Sequence, residues 1–414
     1  MKKNNYTGYS LTCQICRADN LKNILNLGHQ PIVQEYLRAE ELHESETRYP
    51  LNLVRCSNCS LVQIDYVPEP GKVFFPDYPY RTGLTSMLIR NFLELADVLE
   101  KKYELKPKDL IVDIGSNDGT LLKGFKAKGM QVLGIEPTNA AKDANKNGIT
   151  TFQTFFDKAS VTKAKKKYGS ARVITATNVF AHINNVPELM RNVRDLLKSD
   201  GIFVSESQYL LDIVEKKEFD TVYHEHLRFY ALKPLQILFN KYDMSLIDAE
   251  RISAAGGSIR VYAKKGKQPM NARVKNLIQA EEQAGLYSLE KLIAWGKEIQ
   301  KVRNDLLALL LKCKKNGAHI VGIGSPARAN TLLGFSHITN ELLDYAVEKK
   351  GSPKIGLYTP GTHIPVIDEE ELYRDQPEYA LILSWHIGEE LIKIMKKNGY
   401  KGKYIMPLPK PRII

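Results

Sequence analysis

The chain has 414 residues, 43% hydrophobic and 26% charged, with 59 Lys and Arg against 47 Asp and Glu for a net charge of +12. At roughly 150 residues per domain, this length predicts two or three units that each bury a core. The composition excludes a disordered or fibrous chain. No apolar run reaches the ~18 residues a membrane span needs. The start MKKNNYTGYS has two lysines and no apolar stretch behind them, so neither a secretory leader nor a membrane partner is expected, and the location expected is cytoplasmic. The positive charge raises the question of nucleic acid. Residues 1–70, however, hold seven Lys and Arg against eight Asp and Glu, so the excess lies beyond them. The dense run Lys163, Lys165, Lys166 and Lys167 reads as a solvated helix face. No nucleic-acid partner is expected, whereas a moderate positive field suits a small anionic substrate.

The first element in chain order is a cysteine module. Cys13-Gln14-Ile15-Cys16 and Cys56-Ser57-Asn58-Cys59 have the spacing of two zinc knuckles, each setting two sulfurs at one tight turn. Disulfides are disfavoured in a cytosolic chain. A redox Cys-x-x-Cys usually opens a helix after a strand, and two so close would be odd. Structural zinc on Cys13, Cys16, Cys56 and Cys59 is therefore expected, with every ligand position filled. The 39 residues between the pairs require an insertion. Cys313, in LLALLLKCKK, is read as a core cysteine.

Next comes PEPGKVFFPDYPYRTG, too rich in proline for a long helix or central strand. It is predicted to be an ordered connector whose Tyr78 and Tyr80 either pack or meet substrate. A helix over 86–102 follows, and then alternation: strand 110–115, helix 119–128, strand 130–137, helix 139–146, strand 171–179, helix 187–198 and strand 201–207. This spacing predicts a doubly wound, Rossmann-like parallel sheet. An antiparallel pair near 245–265 closes it, and 272–316 reads as long helices. A second α/β unit opens at HIVGIGSPARANT, continues through 343–349 and 379–385, and ends in a Pro-rich tail. The expected domains are 1–70, 71–267 and 268–414.

The turn Val112-Asp113-Ile114-Gly115-Ser116-Asn117-Asp118-Gly119 follows the first strand of the central unit. A dinucleotide fold asks for G-x-G-x-x-G and a pyrophosphate at the helix N-terminus. Here one glycine of the first pair is missing, and Asp118 stands where a pyrophosphate would be repelled. An acidic turn suits a cofactor with a cationic centre and an amino-acid tail, which describes S-adenosylmethionine (SAM). Glu136, ending the second strand, is positioned to accept ribose hydroxyls, and Phe155-Phe156 to cover an adenine. The cofactor candidates are Asp113, Gly115, Asn117, Asp118, Glu136, Phe156 and Asn178; for Asp118 and Glu136 a helix cap or exposed turn is the alternative.

VDIGSNDGTLL, TNVFAHI, FDTVYHEHLRFY, GGSIRVYAKKG, GSPARANTLLGF, YTPGTHIPVI and LILSW, with the cysteine pairs ahead of them, resemble the nucleotide-sugar C-methyltransferase family over nearly the whole chain. The resemblance implies an N-terminal zinc domain, a central SAM domain and a C-terminal domain that helps hold a nucleotide sugar, in a protein expected to be monomeric. It implies methylation of the carbon next to a 4-keto group, usually C3. That chemistry removes a proton α to a ketone, which needs a base tuned near 7 and a donor to the enolate oxygen. Tyr223-His224-Glu225-His226 offers a phenol, two imidazoles and a carboxylate. By resemblance His226 is the general base, Glu225 assists, and Tyr223 donates to the enolate oxygen; the residues alone leave Glu225 open as the base. His182, at the end of a predicted strand, is assigned to assist the base or touch substrate. Tyr78, Tyr80, His224 and Arg328 are the substrate-binding candidates, with packing or capping the alternative for His224. Gly322, Gly324 and Ser325 share the second glycine turn with Arg328, where packing and phosphate contact remain alternatives. Two stretches depart from the family pattern: Arg81-Thr82-Gly83-Leu84-Thr85, where relatives tend to be serine-rich, and His386 after Trp385, where relatives often have Asn. Both bear on the sugar and nucleotide more than on the reaction. The alternative readings are a sugar O- or N-methyltransferase and a nucleic-acid methyltransferase.

Overall fold

The computed structural model describes residues 6–84 and 86–414; residues 1–5 and Thr85 lie outside the described residues. The first sheet is built on β2 (Leu21–Gln30), β3 (Tyr49–Cys56) and β4 (Val62–Ile64), antiparallel in that order, with a small ribbon of β1 (Gly8–Tyr9) and β5 (Tyr66–Val67) beside it. The two cysteine pairs make matching turns. Arg17 N–H donates to Cys13 O at 3.1 Å and Ser60 N–H to Cys56 O at 3.0 Å, each residue lying left-handed just past its second cysteine. The insertion between the pairs is the β2–β3 hairpin, and its connection reaches the C-terminal unit: Asn330 Nδ2 donates to Val33 O at 2.7 Å and Tyr36 OH to Ser325 O at 2.7 Å.

The central sheet has seven strands: β6 (Leu110–Ile114), β7 (Gln131–Ile135), β8 (Thr151–Phe152), β9 (Ala171–Thr177), β10 (Leu197–Gln208), β12 (Met244–Ile252) and β13 (Ser258–Lys265). Their spatial order is β12-β13-β10-β9-β6-β7-β8. The first five are parallel, and β13 and β12 close the edge antiparallel. LIVDI of β6 is buried along its whole length, as a strand covered on both faces must be. Strand order reverses between β6 and β9, which opens a crevice at their carboxyl ends. The strand predicted to reach 179 stops at Thr177 because Asn178 turns left-handed, with φ 57°.

β11 (Arg228–Phe229) leaves this sheet and pairs antiparallel with β4 of the cysteine module. Arg228 is 1% exposed and fully engaged: it donates to Gln14 Oε1 at 2.6 Å, Tyr230 OH at 2.9 Å, Phe180 O at 3.0 Å and Ile183 O at 2.6 Å. The stretch that carries the paired histidines is thus stitched into both sheets.

Two helices, Ala272–Ala284 and Leu289–Lys315, precede the third sheet. The longer one lies so close to β2 that a Cβ on Gly296 would fall 2.2 Å from Ile24 O. Cys313 is buried on its inner face. The third sheet runs β16 (Val366–Asp368), β15 (Ala346–Glu348), β14 (Ile320–Ile323), β17 (Tyr379–Ile382), β18 (Lys403–Met406), β19 (Arg412–Ile413), all parallel except β19. The predicted Pro-rich tail thus supplies two further strands; KYIM is too short to show a period beside its prolines. Among the described residues no helix is long and apolar enough to cross a membrane.

Candidate active site

The sulfurs of Cys13, Cys16, Cys56 and Cys59 all lie within 4.8 Å of one another. Cys13 and Cys59 are 3.4 Å apart, and Cys16 and Cys56 3.5 Å. Bonds of about 2.3 Å from one central ion would span such a set, so four thiolates fit tetrahedral zinc with no position left open. None of these cysteines borders the large cavity.

That cavity, of about 750 Å³, lies at the crevice of the central sheet and is roofed by the connector. Asp113, Gly115, Asn117, Glu136, Phe156 and Asn178 all line it. Gly115 has φ 67°, and a Cβ there would strike Val179 at 2.7 Å, so the turn demands glycine. Asp113 is buried in β6 and accepts the Thr175 hydroxyl at 2.7 Å; burial pushes its carboxyl up to about 7. Glu136 accepts Asn117 N–H at 3.0 Å, Thr138 N–H at 2.9 Å and the Thr138 hydroxyl at 2.7 Å. A carboxylate has about four acceptor positions, which leaves Glu136 one for a ligand hydroxyl. Ser116 Oγ is buried without a partner on the same wall. These residues fit a bound nucleoside with an amino-acid tail.

Asp118 does not line the cavity. One carboxylate oxygen accepts Gly83 N–H at 2.7 Å; the other takes Thr120 N–H at 3.2 Å and the Thr120 hydroxyl at 2.6 Å. Asp118 instead holds Thr120, the first residue of the helix Thr120–Ala127 whose N-cap is Gly119, and ties down the connector. Asn117 shares that task, accepting Thr82 N–H at 2.9 Å and donating to Tyr80 O at 3.2 Å.

In the same cavity as the cofactor turn, His226 is 7% exposed and its Nδ1 lies 2.6 Å from Thr221 O. A carbonyl only accepts, so Nδ1 carries the proton and Nε2 keeps its lone pair. Burial pushes this imidazole down to about 4, so it is neutral at pH 7. His182, also held neutral by burial, has its ring 5.0 Å from that of His226 and stacks on Phe74 of the connector at 5.7 Å. Tyr223 lies 4.1 Å from His226, centroid to centroid, and burial keeps its phenol protonated well above the ordinary range. Glu225 is 3% exposed; Oε2 accepts Tyr78 OH at 2.7 Å and Oε1 is buried without a partner. Burial raises its carboxyl to about 7. Tyr78 therefore reaches the polar cluster, whereas Tyr80 is 40% exposed at the rim.

Two predicted substrate contacts line the cavity and also have protein partners. His224 Nε2 donates to Pro50 O at 3.1 Å and its ring meets Tyr49 edge-on at 5.8 Å, which makes it a packing joint to the cysteine module at the cavity edge. Arg328 donates through Nε and Nη2 to Asp220 at 2.8 Å each and through Nη2 to Glu218 at 3.0 Å. Two carboxylates compensate its charge before any phosphate arrives. Gly324 and Ser325 lie off the cavity wall. Residues the sequence did not single out do border it: Gln34 from the β2–β3 connection, Ser207 at the end of β10, and Lys354. Lys354 Nζ donates to Ser325 O at 2.6 Å, leaving two N–H groups for other partners. Gln34 Oε1 and Ser207 Oγ are buried without partners. No motif surrounds these three; only the folded chain gathers them.

Three family models match in succession: a zinc binding domain over residues 13–74, a methyltransferase domain over 85–249, and a C-methyltransferase C-terminal domain over 253–409. The C-methyltransferase NovU of Streptomyces niveus is 29% identical over 408 residues, 97% of this chain and 96% of that one. Among solved structures, an S-adenosylmethionine-dependent methyltransferase from Clostridium acetobutylicum aligns with 43% of this chain and 92% of its own at 11% identity and a TM-score of 0.34. The magnesium protoporphyrin IX methyltransferase of Synechocystis with bound SAH aligns with 43% of this chain and 83% of its own, at 12% identity and a TM-score of 0.34.

Proposed function

Since the chain is a SAM-dependent C-methyltransferase with a zinc-binding module, we propose that it methylates C3 of a nucleotide-linked 4-keto-deoxysugar, the carbon α to the ketone. The observation that carries this reading is the tautomer of His226, a residue that lines one cavity with the cofactor turn. SAM, when bound, supplies an electrophilic methyl group; Glu136, Asn117, Asp113, Asn178 and Phe156 are the residues proposed to hold it. Nε2 of His226 takes the α-proton, and Thr221 O steadies the imidazolium that results by accepting its Nδ1–H. Tyr223, kept protonated, donates to the oxygen that gains charge, worth about 10²- to 10³-fold for a well-placed donor. Tyr78 and Glu225 bracket the sugar, and Lys354 faces its anionic diphosphate. The roof of Phe74, Tyr78 and Tyr80 excludes water from the carbon nucleophile.

One observation favours a second reading, with Glu225 as base: its carboxyl stands near 7 while the imidazole stands near 4, and a base works best near the operating pH. Incubation with a 4-keto-deoxysugar nucleoside diphosphate and SAM carrying a 13C methyl tests the function itself. The proposal expects the label on a carbon next to the carbonyl. Label on oxygen or nitrogen overturns it.

A further inference from the structure

The base is held by a carbonyl, and that carbonyl belongs to a turn gripped by the C-terminal unit. Thr221 closes the short helix Phe219–Thr221. Its neighbour Asp220 is fully buried and accepts three N–H groups, all from beyond residue 320: Arg328 Nε and Nη2 at 2.8 Å each, and Trp385 Nε1 at 2.7 Å. The guanidinium also lies 5.1 Å from the centre of the Trp385 ring, so the two donors brace each other. The helix Ala327–Phe335 packs directly on this turn, its Phe335 ring edge-on to Phe219 at 5.4 Å. On the other side the Thr221 hydroxyl donates to Gln208 Oε1 at the end of β10. The turn is therefore clamped between the two units, with its carbonyl aimed at His226 Nδ1.

We infer that Asp220, Arg328 and Trp385 are positioning residues: through Asp220, the C-terminal unit fixes the Thr221 carbonyl that selects the Nδ1–H tautomer of His226. The inference rests on the reading of His226 as base. Among the described residues, the other partner of Nδ1 is the Thr221 hydroxyl, on the same clamped turn. Thr221 Oγ1 lies 3.4 Å from Nδ1, at the outer limit of a hydrogen bond. A carbonyl displaced by about 1 Å would let Nδ1 lose its proton to Nε2, and the base would face substrate with its lone pair gone. Misplacements of that size cost on the order of 10²-fold in rate.

The test uses the whole chain labelled with 15N-histidine, with the His226 signals assigned by their loss in His226→Asn. In the wild type, Nδ1 should appear protonated and Nε2 unprotonated without any ligand. Trp385→Phe removes one donor to Asp220 but keeps a ring over Arg328; Asp220→Asn weakens both contacts. Each should give a His226 signal with Nε2–H population or exchange between tautomers. With a thymidine diphosphate 4-keto-6-deoxyhexose as probe in deuterated water, exchange of the α-proton should slow about tenfold in Trp385→Phe, with KM and SAM affinity within about twofold. Unchanged His226 signals in both variants overturn the inference, as does a loss of rate expressed wholly in KM, which would make Arg328 and Trp385 substrate contacts. If His226→Asn keeps the exchange rate, the assignment of the base fails instead, and the tautomer result still decides the clamp.

Discussion

The central and C-terminal sheets contain the same turn used in two ways. In each, a glycine follows the strand with positive φ, 67° at Gly115 and 78° at Gly324. In each, that glycine's N–H reaches a carbonyl of the neighbouring strand, Gly115 to Ile135 at 2.8 Å and Gly324 to Val347 at 2.9 Å. In each, a glutamate from that neighbour takes the next free N–H of the turn: Glu136 from Asn117 at 3.0 Å, Glu348 from Ser325 at 2.7 Å. The difference lies in what stands over the turn. The central one opens into the cavity, whereas Tyr36 and Lys354 converge on Ser325 of the other at 2.7 and 2.6 Å. A glycine turn with an acid on the second strand is therefore a scaffold, and what is left uncovered decides whether it receives a ligand.

The largest effect is expected at the cysteine module, which supplies Tyr36 to one turn and Gln14 to the arginine beside the histidines. Cys13→Ser should lose the zinc and the fold of the module together, because apparent zinc-binding energies of about 10–16 kcal/mol are folding energy in such sites. Metal analysis and a thermal melt read both. Retention of a native melting curve without zinc would contradict the assignment. Next in size, Glu136→Ala should weaken SAM binding about 10- to 100-fold, the value of a hydrogen bond to a charged acceptor. Glu348→Ala should leave SAM affinity within about twofold and lower only stability; calorimetric titration of both variants separates the two turns. Tyr36→Phe should cost about 1 kcal/mol of stability without touching SAM affinity. The smallest expected effect concerns pH. A base must be unprotonated, so kcat/KM for the sugar nucleotide, at saturating SAM, falls as acid titrates the base. With His226 near 4, the rate at pH 5 stays within about twofold of that at pH 7; with Glu225 near 7 as base it drops about fiftyfold.

Much of this was legible because it is local. The β6 turn, Glu136 and the paired cysteines are read from spacing alone, and the YHEH stretch from its crowd of titratable side chains. What stayed hidden depends on distant partners. Arg328 reads as a free cation until Glu218 and Asp220, about 110 positions earlier, are folded against it. Asp118 carries the charge that suits a sulfonium, yet the connector's Gly83 claims it. His224 and His226 differ by two positions, and the resemblance separates their roles, but the carbonyls that hold them, Pro50 and Thr221, appear only in the fold. Lys354 and Gln34 lie in stretches with no chemical pattern.

In the proposed mechanism His226 removes a carbon-bound proton before any methyl group moves. Incubation with a 4-keto-deoxysugar nucleoside diphosphate in deuterated water, with S-adenosylhomocysteine in place of SAM, tests it directly. The account predicts deuterium at the carbon α to the ketone with the wild type, and incorporation at least about 10²-fold slower in His226→Asn. Equal incorporation by the two proteins would contradict it.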